Sequence, residues 1–311
     1  MNGLEVRVAT PADAEGIRRL YARVFEKEMS PEEWRWKFEE NPDGWFGTVA
    51  VSDGEIAGNY AGWGMRFMFP GSTRLVYAIG DVATDPGVRG RGAFRAMTEL
   101  FYGLVGQRGI PFCFGFPGTR HTAISEHVVG TRTVFEVAEF AVPCEAFAPA
   151  PAEAGAGDFV GPEFDPLWSR AARALPAAAV RDRARVNWRF HARPGRYYRM
   201  VWIRRGEELV SWAALSVAGE TALVADYLGI EPDGSDLSLL FRAAAAEAKR
   251  MGARQLLFWE PPGGPGRSAI AALHGERRPA GFPVIVRTFE EEVAQRFARE
   301  AHLVPSLYDL V

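Results

Sequence analysis

Cysteine is nearly absent from this chain. Cys113 and Cys144 are the two it has among 311 residues. Two thiols cannot make a disulfide framework, nor a zinc cluster alone. Lysine is almost as scarce, limited to Lys27, Lys37 and Lys249, so arginine supplies nearly all positive charge. That bias is read as one of coding before one of function. There is no basic excess either: 36 Lys and Arg stand against 39 Asp and Glu, a net charge of −3. A general nucleic-acid binder is usually basic, so that class recedes and no nucleic-acid partner is expected. No apolar run reaches the roughly 18 residues of a membrane span, and Met-Asn-Gly-Leu-Glu-Val-Arg-Val has no signal-peptide core. The expectation is a soluble, cytoplasmic protein with no membrane partner. The five histidines (121, 127, 191, 274, 302) show no metal-ligand spacing, so no metal is expected.

What is present is an ordinary globular composition, 48% apolar and 24% charged. Its length predicts two domains. The break lies at Ala146–Asp158, AFAPAPAEAGAGD, which has linker composition and no core periodicity. The expected division is 1–145, a linker at 146–160, and 161–311. The two halves look alike. Trp36-Lys37-Phe38, Pro42 and Gly54-Glu55 recur as Trp188-Arg189-Phe190, Pro194 and Gly206-Glu207, each 152 positions on. Asp81 with Pro86 parallels Asp226 with Pro232, and PFCFGFP at 111–117 parallels QLLFWEP at 255–261. Thr10-Pro11 and Asp165-Pro166 each place a capping residue before a first-turn proline. An internal duplication accounts for these matches.

The first half alternates strands and helices. Strands are expected at Glu5–Ala9, Thr48–Ser52, Ile56–Phe69, Val76–Thr84, Ile110–Phe116 and Thr133–Val142. Helices are expected from Thr10, over Pro31–Glu40, over Gly92–Gln107 and over Thr122–Val129. Gly109 stops the third of these. The fold class is α/β (α+β).

The chemistry concentrates in Asp81-Val82-Ala83-Thr84-Asp85-Pro86-Gly87-Val88-Arg89-Gly90-Arg91-Gly92-Ala93-Phe94. A strand ends, a glycine-rich turn follows, and a helix starts at once. Such a turn aims several backbone N–H groups at one spot, and the helix end adds partial positive charge. Glycines let a phosphate approach the backbone, while Arg89 and Arg91 add charge-assisted contacts. The physical reading is a pyrophosphate site. It is not a P-loop, because no Gly-Lys-Ser/Thr follows. It is not the dinucleotide Gly-x-Gly-x-x-Gly after an N-terminal strand either.

Val-Arg-Gly-Arg-Gly-Ala-Phe (88–94), after its Thr-Asp-Pro strand end, resembles the acyl-CoA loop of the GNAT (Gcn5-related N-acetyltransferase) superfamily, Arg/Gln-x-x-Gly-x-Gly/Ala. Arg89 and Gly92 match the first two fixed positions, and Phe94 stands where Gly or Ala is usual. The strand order is similar too, as is Phe-Gly-Phe-Pro (114–117) before a short helix and Gly130. The resemblance implies two tandem GNAT-like domains, each a mixed, mostly antiparallel sheet flanked by helices. The acyl-CoA site would lie in the first domain, at Val82, Ala83, Thr84, Val88, Arg89, Gly90, Arg91, Gly92, Ala93 and Phe94. In the second half the loop reads Ile230-Glu231-Pro232-Asp233-Gly234-Ser235-Asp236-Leu237, without arginine and with three acids. An acidic loop repels a pyrophosphate.

The implied reaction is transfer of acetyl, or another acyl group, from acyl-CoA to an amine of a small molecule or peptide by direct attack. A base is needed, since an alkyl ammonium has a pKa of about 10. Asp81 is the candidate. The family's helix tyrosine, which protonates the leaving thiolate, maps to Glu126 here. That leaves Ser125, Glu126, His127 and His121 as local polar candidates. Glu33 and Glu40 flank Trp34 and Trp36, where GNAT proteins bind the acceptor. Glu33, Trp36, Trp45 and Trp63 are candidate acceptor contacts. Trp36 and Phe38 recur in the second half and so read as architectural, which makes Trp45 and Trp63 the better pocket residues. Phe46 and Phe67 are further aromatics near them. Cys113, inside an apolar strand, reads as an inert buried thiol. The alternatives are a non-catalytic acyl-CoA binder or sensor and an aminoacyl-tRNA-dependent peptidyl transferase. The tandem arrangement substitutes for the homodimer of single-domain relatives, which favours a monomer.

Overall fold

The alternating segment Leu4–Val8 forms β1 in a computed structural model that describes residues 4–158 and 160–308, with the backbone alone at Thr119 and Arg120. After a short turn, α1 runs from Ala14 to Phe25. The Asp13 carboxylate caps its entry, accepting from the Thr10 N–H at 2.7 Å and from Arg7 Nη2 at 2.7 Å. The guanidinium holds that carboxyl down at about 2. Next comes α2 (Pro31–Trp34), continued by a wide turn over Arg35–Glu39 in which the Glu40 N–H reaches the Arg35 carbonyl. The strands β2 (Trp45–Ser52), β3 (Glu55–Phe69) and β4 (Ser72–Thr84) follow, then α3 (Ala93–Gln107), β5 (Phe112–Gly115), α4 (Thr119–Ile124) and β6 (Arg132–Pro143). The later elements are β7 (Ala154–Gly157), α5 (Phe164–Ala174), β8 (Ala178–Ala179), α6 (Arg183–Val186), β9 (Arg199–Arg205), β10 (Glu208–Ala218) and β11 (Thr221–Gly229). They are followed by α7 (Ser235–Arg250), β12 (Gln255–Trp259), α8 (Gly264–Ala271), β13 (Glu276–Thr288) and α9 (Glu291–Glu300).

The chain divides into two units. The first holds the described residues through Arg66, Arg74–Phe135 and Pro283–Ala294; the second holds Phe67–Thr73, Glu136–Phe282 and Gln295 onward. In the first, the strand order is β1-β2-β3-β4-β5-β13. Both sheet faces are covered, which is why β3 is apolar along most of its length. Ile17, Leu20, Trp34, Phe38, Val49 and Ala61 fill one face under α1 and α2. Phe46, Ala50, Tyr60, Tyr77, Met97 and Phe101 fill the other under α3. Alternation does the sorting, since Val49 and Ala50 point to opposite faces, as do Tyr60 and Ala61. In the second unit the order is β6-β12-β11-β10-β9-β7. Phe164, Leu167, Phe190, Met200, Trp212 and Leu228 form its core. Its segment Asn187–His191 repeats the wide turn, with the Ala192 N–H on the Asn187 carbonyl.

These unit boundaries depart from a division at 1–145 and 161–311. The first unit finishes its sheet with residues 283–288, which pair antiparallel with β5, placing Ile285 opposite Gly115 and Thr288 opposite Phe112. Arg132–Glu291 at 2.6 Å and an ion pair from Arg74 to Glu290 hold the following turn. The second unit takes Glu139–Pro143 of β6 against β12. Each exchanged strand satisfies backbone groups that an open sheet edge would leave to water. The stretch 146–160 is not plain linker: Ala154–Gly157 is β7, paired with β9. Its glycines are steric, because a Cβ at Gly155 would lie 2.2 Å from Trp202 Nε1. At Asp165-Pro166 the helix starts two residues early, at Phe164, and the Asp165 carboxylate instead accepts the Arg183 N–H at 3.0 Å.

Two outcomes follow from this arrangement. A fragment ending at residue 145 lacks the strand on β5. Its thermal melt should lose the cooperative transition of the full chain; an intact transition would contradict the exchange. In the second unit, His302 is buried with Nε2 2.9 Å from the Tyr227 carbonyl, and burial pushes its pKa from the ordinary 6.5 down to about 3. The unfolded chain therefore takes a proton below pH 6.5 that the folded unit refuses, so stability falls as pH drops from 6.5 toward 3. His302→Gln should flatten that slope in urea titrations across this range.

Candidate active site

The parallel ladder between β4 and β5 is short. Tyr77 pairs with Cys113, Ala78 with Phe114 and Ile79 with Gly115. There β5 ends, while β4 runs on to Thr84. At Asp81 the backbone turns to φ +51°, a left-handed conformation rare for a non-glycine residue. The Asn59 side-chain amide donates to the Asp81 carbonyl at 3.0 Å and anchors the turn. The edge of β4 beyond Ile79 thus opens at the carboxyl ends of two parallel strands, the place where α/β sheets bind ligands.

The loop that follows is built for close approach. Asp85 Oδ1 accepts the Gly87 N–H at 2.9 Å, and Arg23 Nε donates to Asp85 Oδ2 at 3.1 Å. Those donors, the Gly87 N–H first, lower the Asp85 pKa. One turn, Pro86–Val88, leads to Gly90 at φ +76° and Gly92 at φ +84°. Both angles favour glycine. The Ala96 N–H closes on the Gly92 carbonyl at 3.0 Å, so the N–H groups before it face out of the α3 end. Val88 and Ala93 are buried and pin the loop, while Arg89 and Arg91 are exposed. Phe94 does not spread the loop: its ring turns inward against Tyr60, 5.9 Å between centroids. The Val88, Arg89 and Arg91 N–H groups are used within the loop, on the Asp85, Pro86 and Val88 carbonyls. What remains is a helix end with no acid in its first turn and two exposed arginines, a set that fits a pyrophosphate.

Asp81 lies on this strand with a partner that sequence reasoning missed. Its carboxylate meets the Lys37 ammonium, and both side chains are buried, 6% and 7% exposed. Lys37 Nζ also lies 4.9 Å from the Trp63 ring centroid. The Trp63 ring covers Gly80, where a Cβ would fall 2.5 Å from Cζ3. A signal for Lys37 was present: one of three lysines, set between Trp36 and Phe38, and replaced by Arg189 at the repeat.

The remaining candidates scatter. Trp36 and Trp63 are buried. Trp45 is half-buried and packs edge-on to Trp34 at 5.8 Å and Phe38 at 5.4 Å, so it belongs to the aromatic core under α2. Phe46 and Phe67 are buried as well. Glu33 is half-buried, and its N–H is used by Ser30 Oγ at the start of α2. A groove of about 560 Å³ lies between α1 and α2, lined by Arg18, Met29, Trp34 and Glu39 among others. Ser125, Glu126 and His127 occupy a wide turn after α4 that Gly130 ends at φ +70°. Glu126 accepts from Thr133 Oγ1 at 3.0 Å, and Glu126 and His127 are exposed. Cys113 is buried, and burial raises its thiol pKa. Among the described residues no group of three or more His, Cys, Asp or Glu could hold a metal. None of their helices is long and apolar enough to cross a membrane.

The second unit has the same turn with a different occupant. Gly234 takes φ +74° before α7 as Gly92 does before α3. Here Asp236 Oδ2 accepts the Ile230 N–H at 2.5 Å and the Glu231 N–H at 3.3 Å. A buried carboxylate of the chain itself takes the backbone donors, and burial raises its pKa.

Residues 5–126 match the family model of an acetyltransferase (GNAT) domain. That segment is a GNAT domain. Solved structures agree in fold. A probable N-acyltransferase from Enterococcus faecalis V583 superposes with a TM-score of 0.73 at 14% identity, covering 93% of this chain and 73% of that one. GCN5-related N-acetyltransferases from Anabaena variabilis ATCC 29413 and Kribbella flavida give TM-scores of 0.69 and 0.70, also at 14% identity. The first covers 92% of this chain and 72% of its own, the second 94% and 73%. No curated protein matches the sequence. The family match is confined to residues 5–126, and the neighbours, at 14% identity, agree in fold.

A Cβ at Gly80 would fall 2.5 Å from the Trp63 ring, so Gly80→Ala should displace Trp63 and cost about 1–3 kcal/mol by overpacking, read as a lower urea midpoint. A wild-type midpoint would show that the ring has room to move.

Proposed function

We propose that the chain is an acyl-CoA-dependent N-acyltransferase that moves acetyl from acetyl-CoA to an amine by direct attack. The observation that carries this reading is the Gly90/Gly92 loop opening onto the end of β4 where β5 has stopped. Val88, Arg89, Gly90, Arg91, Gly92, Ala93 and Phe94 would hold the pyrophosphate, and the backbone of Val82, Ala83 and Thr84 the pantetheine arm. The bound co-substrate supplies an activated thioester carbonyl. Asp81 takes the acceptor's ammonium proton, directly or through water. A β4 N–H serves the oxyanion. A thiolate leaves tolerably well unprotonated, so Ser125, Glu126 and His127 are not required for departure.

The second unit is read as a degenerate copy of the first. What supports this is the repeated wide turn, the repeated Trp-cation-Phe run and the glycine before the helix, with Asp236 standing in the anion's place. A small-molecule or peptide amine, a cytoplasmic setting and a monomeric chain complete the proposal. The second reading is a non-catalytic acyl-CoA binder, favoured by the pairing of Asp81 with Lys37.

Thermal unfolding with and without acetyl-CoA tests the reading, beside Gly92→Glu. Ligand at ~100 times its Kd should stabilise by about 2.7 kcal/mol, several degrees. At φ +84° the variant melts lower on its own, so the decisive result is loss of the shift. No shift in folded wild type overturns the reading. A shift with no release of CoA thiol across an amine panel selects the binder.

A further inference from the structure

We infer that the first unit has a ligand site separate from its glycine loop: a groove along α3 that takes a small carboxylate with an aromatic body, anchored by Arg287. The inference goes beyond the proposed acyl transfer and does not rest on it. The groove has a volume of about 620 Å³ and lies between α3 and the wide turn after α4. Sites for small molecules have volumes of this order. Tyr102, Gly103 and Gly106 line it from α3, Val128 and Val129 from the turn, and Phe289 from the chain just past β13. At about 1.5 Å per residue, Gly103 stands about 15 Å along α3 from Ala93, well past the loop.

The charge in the groove is unbalanced. Arg287 is half-buried and lies opposite Cys113 in the pairing of β13 with β5. Its Nη1 donates to the Gly130 carbonyl at 3.2 Å, while its Nε is buried without a hydrogen-bond partner. Among the described residues no carboxylate pairs with it. Glu99 also lines the groove, but it is exposed and lies 3.8 Å from Arg95. A guanidinium drawn partly out of water without a counter-charge is costly, and a bound carboxylate offsets that cost.

The rest of the groove is apolar and ring-shaped in its demands. Phe289 is 38% exposed although its N–H is fixed on the Pro111 carbonyl at 2.8 Å. Its ring lies 6.3 Å from that of Tyr102 and passes over Gly106, where a Cβ would fall 3.1 Å from Cε1. Gly106 makes room for that ring. Gly103 is different, since nothing lies within 4 Å of its Cβ position. Glycine weakens a helix interior, and at Gly103 what it leaves is open groove. Apolar walls, one exposed ring and one cation without an acid describe a ligand that is aromatic at one end and anionic at the other.

Titration calorimetry of the full chain with 3-phenylpropionate tests this, beside its neutral amide and sodium sulfate. A ligand of that size has a Kd of about 1 mM. The carboxylate should bind at one site per chain and the amide about tenfold more weakly, because a charge-assisted contact is lost. Arg287→Gln should weaken the carboxylate about tenfold and leave the amide unchanged. Gly103→Leu should abolish binding of both by filling the groove. It should melt at or above wild type, since leucine favours a helix over glycine and meets open space. Wild-type binding in Gly103→Leu overturns the inference. So does equal binding of acid and amide, or no carboxylate heat at about 10 mM. Sulfate that binds as tightly as the carboxylate marks an adventitious ion only and overturns it too. If Arg287→Gln does not fold, the amide and Gly103→Leu decide. Acetyl-CoA should leave carboxylate binding unchanged; displacement would make the groove part of the co-substrate's site and overturn a separate one.

Discussion

The parallel pairing of β4 with β5 lasts three residues, and the chemistry of the first unit depends on where it stops. Had the ladder continued, the backbone of Val82, Ala83 and Thr84 would be consumed by β5, and the loop at 85–92 would open onto a closed sheet. Because β5 ends at Gly115, the strand edge, the amides at the α3 end and the Asp81 carboxylate fall on one stretch of chain. The left-handed backbone at Asp81 is the local cost of that departure, and the Asn59 amide on its carbonyl helps to hold it.

The loops before α3 and α7 differ by small changes in a similar turn. Gly92 and Gly234 adopt similar angles before their helices. One helix begins Ala93-Phe94-Arg95 and leaves its amides outward. The other begins Ser235-Asp236, and the Asp236 carboxylate folds back onto the Ile230 and Glu231 N–H groups of the loop before it. A pyrophosphate approaching that loop would meet two amides already used and a carboxylate. Two buried acids have buried cations beside them: Arg181 Nε meets Asp226, and the Lys37 ammonium meets Asp81.

Much of this was legible in the residues. The strand order of the first half follows from alternation and turn glycines, and the loop at 88–94 announces itself by composition and context. The repeat of Trp-Lys-Phe as Trp-Arg-Phe marked the wide turns before any geometry was known. Other features were out of reach for physical reasons. The strand at the end of β13 was not read from the sequence, and the strand it joins is set by β5's open edge. Ala154–Gly157 looked like linker, since small residues carry no periodic signal; they are small because Trp202 lies across them. Trp45 and Trp63 have no repeat partners, yet both serve packing, Trp63 over Gly80 and Trp45 against Trp34 and Phe38. Ser125, Glu126 and His127 were chosen by alignment to a family position, and their surroundings show no contact that would single them out. Lys37 was visible as a repeat and overlooked as chemistry, since its value depends on an acid 44 positions away.

The central claim is that the first unit has an acyl-CoA site and the second has lost its own. Titration calorimetry of the full chain with acetyl-CoA tests it most directly. The account predicts one site per chain, with binding abolished by Gly92→Glu and unchanged by Asp236→Asn. Two sites per chain, or binding that survives Gly92→Glu in a folded protein, would contradict it.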